Sequence, residues 1–188
     1  KDIKESDYKT AFESYTPEVT AQIIKLDSED KAKEVLEAAK AEGADFAQIA
    51  KDNSTDTATK DKGGEVKFDS GTADIPSQVK EAAFKLDENG ISDVITVSAG
   101  QNYSASYYIV KLNKKTEKGS DWKKYEKRLK EIIVDGRKQD TNYIRSIIAK
   151  AMTNANIKVK DDAFKSTFNQ YLQNIGVQTS DSSSSSKK

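Results

Sequence analysis

The sequence predicts an α+β fold: a four-stranded, mainly antiparallel sheet with surrounding helices, inserted in an all-helical domain. Three observations predict it. Segments of strand character occur at 18–26, 65–68, 91–97 and 106–115, and helical stripes of apolar residues separate the first three. Beyond residue 115 helix formers take over. Before Pro17 stands one short amphipathic segment that cannot bury its own apolar face.

The elements follow in order. Residues 5–15, "ESDYKTAFESY", put Tyr8, Phe12 and Tyr15 on one helical face, and the helix ends ahead of Pro17. "EVTAQIIKL" (18–26) is the first strand, with Gln22 set among Ala21, Ile23 and Ile24. A mid-strand glutamine costs free energy unless both ends of its amide are bonded, so Gln22 either faces solvent or belongs to a site. "DSEDKAKEVLEAAKAEG" is a helix striped by Ala32, Val35, Leu36 and Ala39, with Ser28 as N-cap and Gly43 at its end. Asp45 caps the shorter "DFAQIAKD", with Gln48 at the capping-box position. The polar loop 53–64 closes on Gly63-Gly64, which supplies backbone freedom before the short strand "EVKF". "DIPSQVKEAAFKL" is a third helix, with Pro76 near its first turn. After the turn "DENG", the strands "ISDVITV" and "SYYIVKLNKK" are joined by "SAGQNYSA". The order through residue 114 is β-α-α-β-α-β-β.

In the helical part, Trp122, Tyr125, Leu129, Ile132 and Ile133 stripe the first half, and Ile144, Ile147, Ile148 and Ala151 the second. Gly136 lies on the stripe between them, at an expected close crossing or break. Phe164, Phe168, Tyr171 and Ile175 share a face further on; this stripe and Trp122 read as core of the helical domain. Residues 176–188 are low-complexity and expected to be disordered. The expected domains are thus 1–16 and 116–175, contributing helices to one domain, and 17–115 inserted between them. The small N-terminal share leads us to expect that the helical domain is incomplete.

Composition narrows the chemistry. Lys plus Arg and Asp plus Glu are 31 each among 188 residues, so no whole-chain charge marks a nucleic-acid or membrane partner. There is no His and no Cys. Thiol nucleophiles, Ser-His-Asp triads, imidazole-bound zinc and histidine bases are excluded within this chain. A disulfide-free exported protein is not. No apolar run approaches the ~20 residues of a membrane-spanning helix. The first residue is Lys, as a processing boundary would leave it.

Three segments occurring in order carry a resemblance. They are "VTAQIIKLDSEDKAKEVLEAAKAEGADFAQIAKDNSTD", "KGGEVKF" and "VKEAAFKLDENGISDVI…YYIVKL". Together they resemble the parvulin-type peptidyl-prolyl isomerase domain. The wider arrangement is similar to the PrsA-type foldases, lipid-anchored outside the membrane of Gram-positive bacteria, and most similar to streptococcal members. The resemblance implies a four-stranded sheet with a shallow cleft that receives proline. The family's first strand reads A-x-H-I-L, and its histidine position is assigned to Gln22. The histidine of the last strand falls on Tyr108, and the Cys-or-Asp position falls on Asp56. Pocket positions fall on Ile75 and Val79, an aliphatic position on Val66, and a hydroxyl position on Ser98. Gln22 and Tyr108 are expected to face each other across the sheet.

The resemblance implies cis-trans isomerisation of X–Pro bonds and holding of unfolded chains. No cofactor or metal is implied, since the reaction breaks no covalent bond. The implied partners are unfolded or partly folded exported polypeptides, not nucleic acid. Membrane contact would come only through a lipid anchor upstream of residue 1. A partial helical domain also leaves a homodimer open. With both histidines replaced, the alternative is a non-catalytic chaperone with a degenerate parvulin domain, for which the apolar helical stripes would offer client-binding surface.

Overall fold

The computed structural model describes residues 3–98 and 105–155, with the single positions 164, 166, 170, 171 and 173. The chain divides into two compact units, one of Lys9–Lys124 and one of Lys1–Tyr8 with Tyr125–Lys188.

In the larger unit four strands form one sheet: β1 (Val19–Leu26), β2 (Glu65–Phe68), β3 (Ile95–Val97) and β4 (Ser106–Lys115). Their order is β2-β1-β4-β3, and every neighbouring pair is antiparallel. β1 and β4 are the longest strands and lie in the centre. Helix α1 (Glu5–Ser14) precedes the sheet; α2 (Glu29–Lys40) and α3 (Phe46–Asn53) follow β1, and α4 (Ser77–Lys85) follows β2.

Directly paired residues of neighbouring strands share a face, so the register assigns the side chains. One face carries Ala21, Ile23, Val110, Leu112 and Phe68, and buries them with Ile75 and with Val79 and Ala83 of α4. The other carries Ile24, Leu26 and Ile109, and buries them with Ala32, Val35 and Ala39 of α2 and Phe46 and Ala50 of α3. β1 is therefore covered on both sides. This explains why "AQIIKL" lacks the polar-apolar alternation of a half-exposed strand.

Local chemistry sets the helix starts. The Ser28 hydroxyl accepts the Lys31 N–H, and the Asp45 carboxylate accepts the Gln48 N–H. Gln48 does not complete a capping box; its amide donates to Asp52 at 2.9 Å. Pro76 stands at the N-cap of α4 rather than inside its first turn.

The second unit contains α5 (Glu126–Gln139) and α6 (Thr141–Asn154). Gly136 is neither a break nor a close crossing. It is helical within α5, and a Cβ added there meets nothing within 4 Å among the described residues. The break falls at Asp140, whose carboxylate accepts the N–H groups of Asn142 and Tyr143 and so starts α6. Leu129 of the first stripe is fully buried. Ile144, Ile147 and Ile148 of the second are exposed. Phe164 and Tyr171 are also exposed, at 64% and 48%, which corrects their reading as core. Phe168, Ile175 and the tail 176–188 lie outside the described residues. No helix of the described residues is long and apolar enough to cross a membrane.

Candidate functional site

Tyr108 lies on β4, paired with Lys25 of β1 on one side and Ile95 of β3 on the other. That register puts it on the face of Ile23 and Val110, where its half-buried ring packs against the apolar cluster that includes Ile75 and Val79. The loop after α3 docks on β1 at the residue opposite Tyr108. Ser54 Oγ accepts the Lys25 N–H at 3.1 Å, and the Thr55 N–H donates to the Lys25 carbonyl at 2.8 Å. This docking brings Asp56 within electrostatic reach of the phenol. Burial holds the Tyr108 phenol above its ordinary titration range, and the carboxylates of Asp56 and Asp27 push it further the same way. Tyr108 therefore keeps its hydroxyl proton at neutral pH, with the Asp56 carboxylate in electrostatic reach of it.

Asp56 also organises its own loop. One carboxylate oxygen accepts the Ala58 N–H at 3.1 Å, and the other accepts the Thr59 hydroxyl at 2.7 Å. These bonds start the turn that leads into Gly63 and Gly64.

Gln22 does not face Tyr108. It pairs with Glu65 of β2 and Lys111 of β4, on the face opposite to the one that carries Tyr108. Its amide Nε2 donates to the Gly63 carbonyl at 2.9 Å. Gln22 thus pins the glycine turn from the side of α2 and α3. The expected pairing fails by one residue, and in a strand one residue exchanges faces. Counted from Ala21, the pattern A-x-H-I-L puts its histidine at Ile23, which lies on the face of Tyr108. Ile23 is 2% exposed. The spacing of this one motif is the signal that points to Ile23; Gln22 stands out only as the polar residue beside it.

The expected substrate-binding residues divide. Val66 is half-buried against the same apolar cluster as Tyr108. Ile75 and Val79 belong to that cluster too, but are 9% and 0% exposed, so they form its core rather than open surface. The half-buried Ile95 and Val97 of β3 also pack against it. Ser98 is exposed, one residue beyond β3. The structure thus gathers Tyr108, Val66, Ile75 and Val79 on one face, puts Asp56 within electrostatic reach of Tyr108, and leaves Gln22 on the other face.

Such an arrangement suits a reaction without bond cleavage. X–Pro isomerisation needs a surface for the proline ring and polar groups that adapt to a turning carbonyl. This face offers a half-buried phenol against an apolar cluster, with a carboxylate in electrostatic reach.

Residues 15–114 match the family described as "Rotamase: PPIC-type PPIASE domain". The foldase protein PrsA of Streptococcus sanguinis (strain SK36) is 64% identical over 176 residues, which are 94% of this chain and 52% of that protein. The foldase protein PrsA of Streptococcus gordonii is 59% identical over 187 residues, covering 59% of its length. The chain therefore spans between half and three-fifths of these relatives. A crystal structure of foldase protein PrsA from Streptococcus pneumoniae superposes with a TM-score of 0.84 at 56% identity, covering 90% of this chain and 62% of that one. The corresponding Lactococcus lactis structure gives 0.71 at 37% identity, covering 89% and 60%. Family match, sheet order and these superpositions agree, and the chain belongs to the parvulin family of PPIC-type peptidyl-prolyl isomerase domains.

Proposed function

We propose that the chain is part of an extracytoplasmic foldase that assists exported polypeptides by cis-trans isomerisation of X–Pro bonds and by holding unfolded chains. The observation that carries the isomerase reading is the half-buried, neutral Tyr108 phenol, on the face of Val66 and Ile95 with Asp56 near it. The unaided bond turns over a barrier of about 20 kcal/mol, within tens of seconds to minutes. Binding the twisted amide better than either planar form accelerates it, and each ~1.4 kcal/mol of preference is a factor of ten. Val66, Ile95 and the Tyr108 ring offer surface to the proline, while the phenol donates to the amide as its carbonyl swings out of plane. Asp56 stabilises the side of the amide that gains positive character. No metal or cofactor enters this scheme.

The location outside the membrane and the lipid anchor upstream of residue 1 rest on likeness to the streptococcal foldases. Holding rests on the helical unit. A cavity of about 660 Å³ there is lined by Tyr8, Val134, Arg137, Ile144, Ile147 and Ile148. Exposed apolar surface of this kind binds unfolded chain or a missing part of the same domain.

A protease-free assay on an Ala-X-Pro peptide tests the isomerase reading. The expected result is a rate above the uncatalysed one that falls about tenfold in Asp56→Ala, the loss of one charge-assisted contact. A rate at the uncatalysed level overturns it.

A second reading has its own support. Ile23, Ile75 and Val79 are buried, and the resemblance puts an isoleucine and a tyrosine where the family carries its two histidines. In this reading the domain binds prolyl segments without turning them over. It requires peptide binding without acceleration, so the same assay with a binding measurement separates the two.

A further inference from the structure

Residues 69–76 connect β2 to α4 and deliver Ile75 and Val79 to the apolar cluster on the Tyr108 face. Hydrogen bonds grip this loop from two sides. From α4, the Lys80 ammonium donates to the carbonyl oxygens of Ser70 at 3.0 Å and Thr72 at 2.6 Å. From the segment after α1, the Tyr15 phenol donates to Asp69 Oδ2 at 3.1 Å. Thr16 adds two bonds: its N–H donates to Ser70 Oγ at 2.9 Å, and its carbonyl accepts the Ser70 N–H at 3.1 Å. Inside the loop, Asp69 Oδ1 accepts from the Gly71 N–H at 2.9 Å and from the Thr72 hydroxyl at 3.1 Å. Tyr15 and Asp69 are both buried.

The two grips do different things. Lys80 neighbours Val79 on α4 and spends its charge on main-chain carbonyls of the loop. Bonds from an ionised donor are stronger than neutral ones, and two of them make the loop and the start of α4 move as one piece. Tyr15 and Thr16 then tie that piece to chain more than fifty positions earlier, in the same unit.

We infer that Lys80 and Tyr15 are positioning residues for the layer that supports the proline-contacting surface: Lys80 stiffens the 69–80 piece, and Tyr15 anchors it through Asp69. The inference rests on the isomerase-site reading above. Neither residue touches the substrate. They act by keeping Ile75 and Val79 packed beneath the half-buried residues that do.

The test uses the full chain with Lys80→Met, Lys80→Arg and Tyr15→Phe, and two readouts. Amide exchange needs no activity. Lys80→Met and Tyr15→Phe should each speed exchange at Gly71 and Thr72 about tenfold, with β1 amides unchanged. Isomerase kinetics on an X–Pro peptide should show KM raised several-fold with kcat within twofold, and Lys80→Arg should restore both readouts. Unchanged exchange at Gly71 and Thr72 overturns the clamp, whatever the activity. Faster exchange with unchanged KM overturns the positioning role. If the parent chain shows no rate, peptide Kd by NMR titration replaces KM and should rise several-fold. A parent that neither accelerates nor binds overturns the site reading and leaves the wall nothing to position.

Discussion

Tyr108 and Gln22 show what single residues decide here. Tyr108 titrates late because burial and two nearby carboxylates disfavour the phenolate. The sign follows. A phenol raised in the folded state contributes stability in full below the ordinary tyrosine value of about 10, and loses it as pH rises through the folded value. In an alkaline ultraviolet titration, Tyr108→Phe should remove a tyrosine from the late end of the curve, and Asp56→Asn should move that tyrosine earlier. A late end that survives Tyr108→Phe would contradict the assignment. Gln22 is the converse case. Its bond to the Gly63 carbonyl is structural, so Gln22→Ala should cost about 1 kcal/mol in urea unfolding and leave the rate of any isomerisation unchanged. That Gln22 mattered was legible from a polar residue inside an apolar strand. Its face was not, because period-2 counting gives relative orientation and only register gives the absolute one.

Elements were legible where capping and periodicity agreed. Ser28 and Asp45 each cap as their side chains allow, and the β-α-α-β-α-β-β order is the one observed. The boundary between α5 and α6 was not legible at Gly136. The apolar stripe runs through both helices, and a local cap at Asp140, not the glycine, ends the first. The Gly63-Gly64 turn carries the sharpest constraint. Gly64 sits at φ +78°, and a Cβ there would run into the Ile23 carbonyl oxygen, while one on Gly63 would lie 2.7 Å from Ala47 Cβ. The Ile23 N–H also donates to the Gly64 carbonyl at 2.9 Å, so the turn cannot drift away from β1. Gly64→Ala should therefore cost at least ~2 kcal/mol, from the left-handed backbone plus the clash, measured by thermal or urea unfolding. Because Ile23 lies on the Tyr108 face, the same variant should disturb the proposed site and not only its support.

At the scale of the whole molecule, the sequence pointed to a sheet domain between helical flanks. The stripe that includes Phe164 and Tyr171 reads as core, yet both side chains are exposed, as are Ile144, Ile147 and Ile148. Periodicity reports which residues share a face. It does not report what covers that face, and this chain spans only part of its relatives' length. The residues of the proposed site, Tyr108, Val66 and Asp56, all belong to the unit Lys9–Lys124. The proposed site occupies the Tyr108 face of the sheet and not the Gln22 face. Chemical-shift mapping of the full chain with an X–Pro peptide tests it most directly. Shifts are expected at Tyr108, Val66, Ile95 and Asp56, with Gln22, Ile24 and Lys111 unmoved. Shifts centred on Gln22 and Lys111, or none at peptide concentrations up to millimolar, would contradict it.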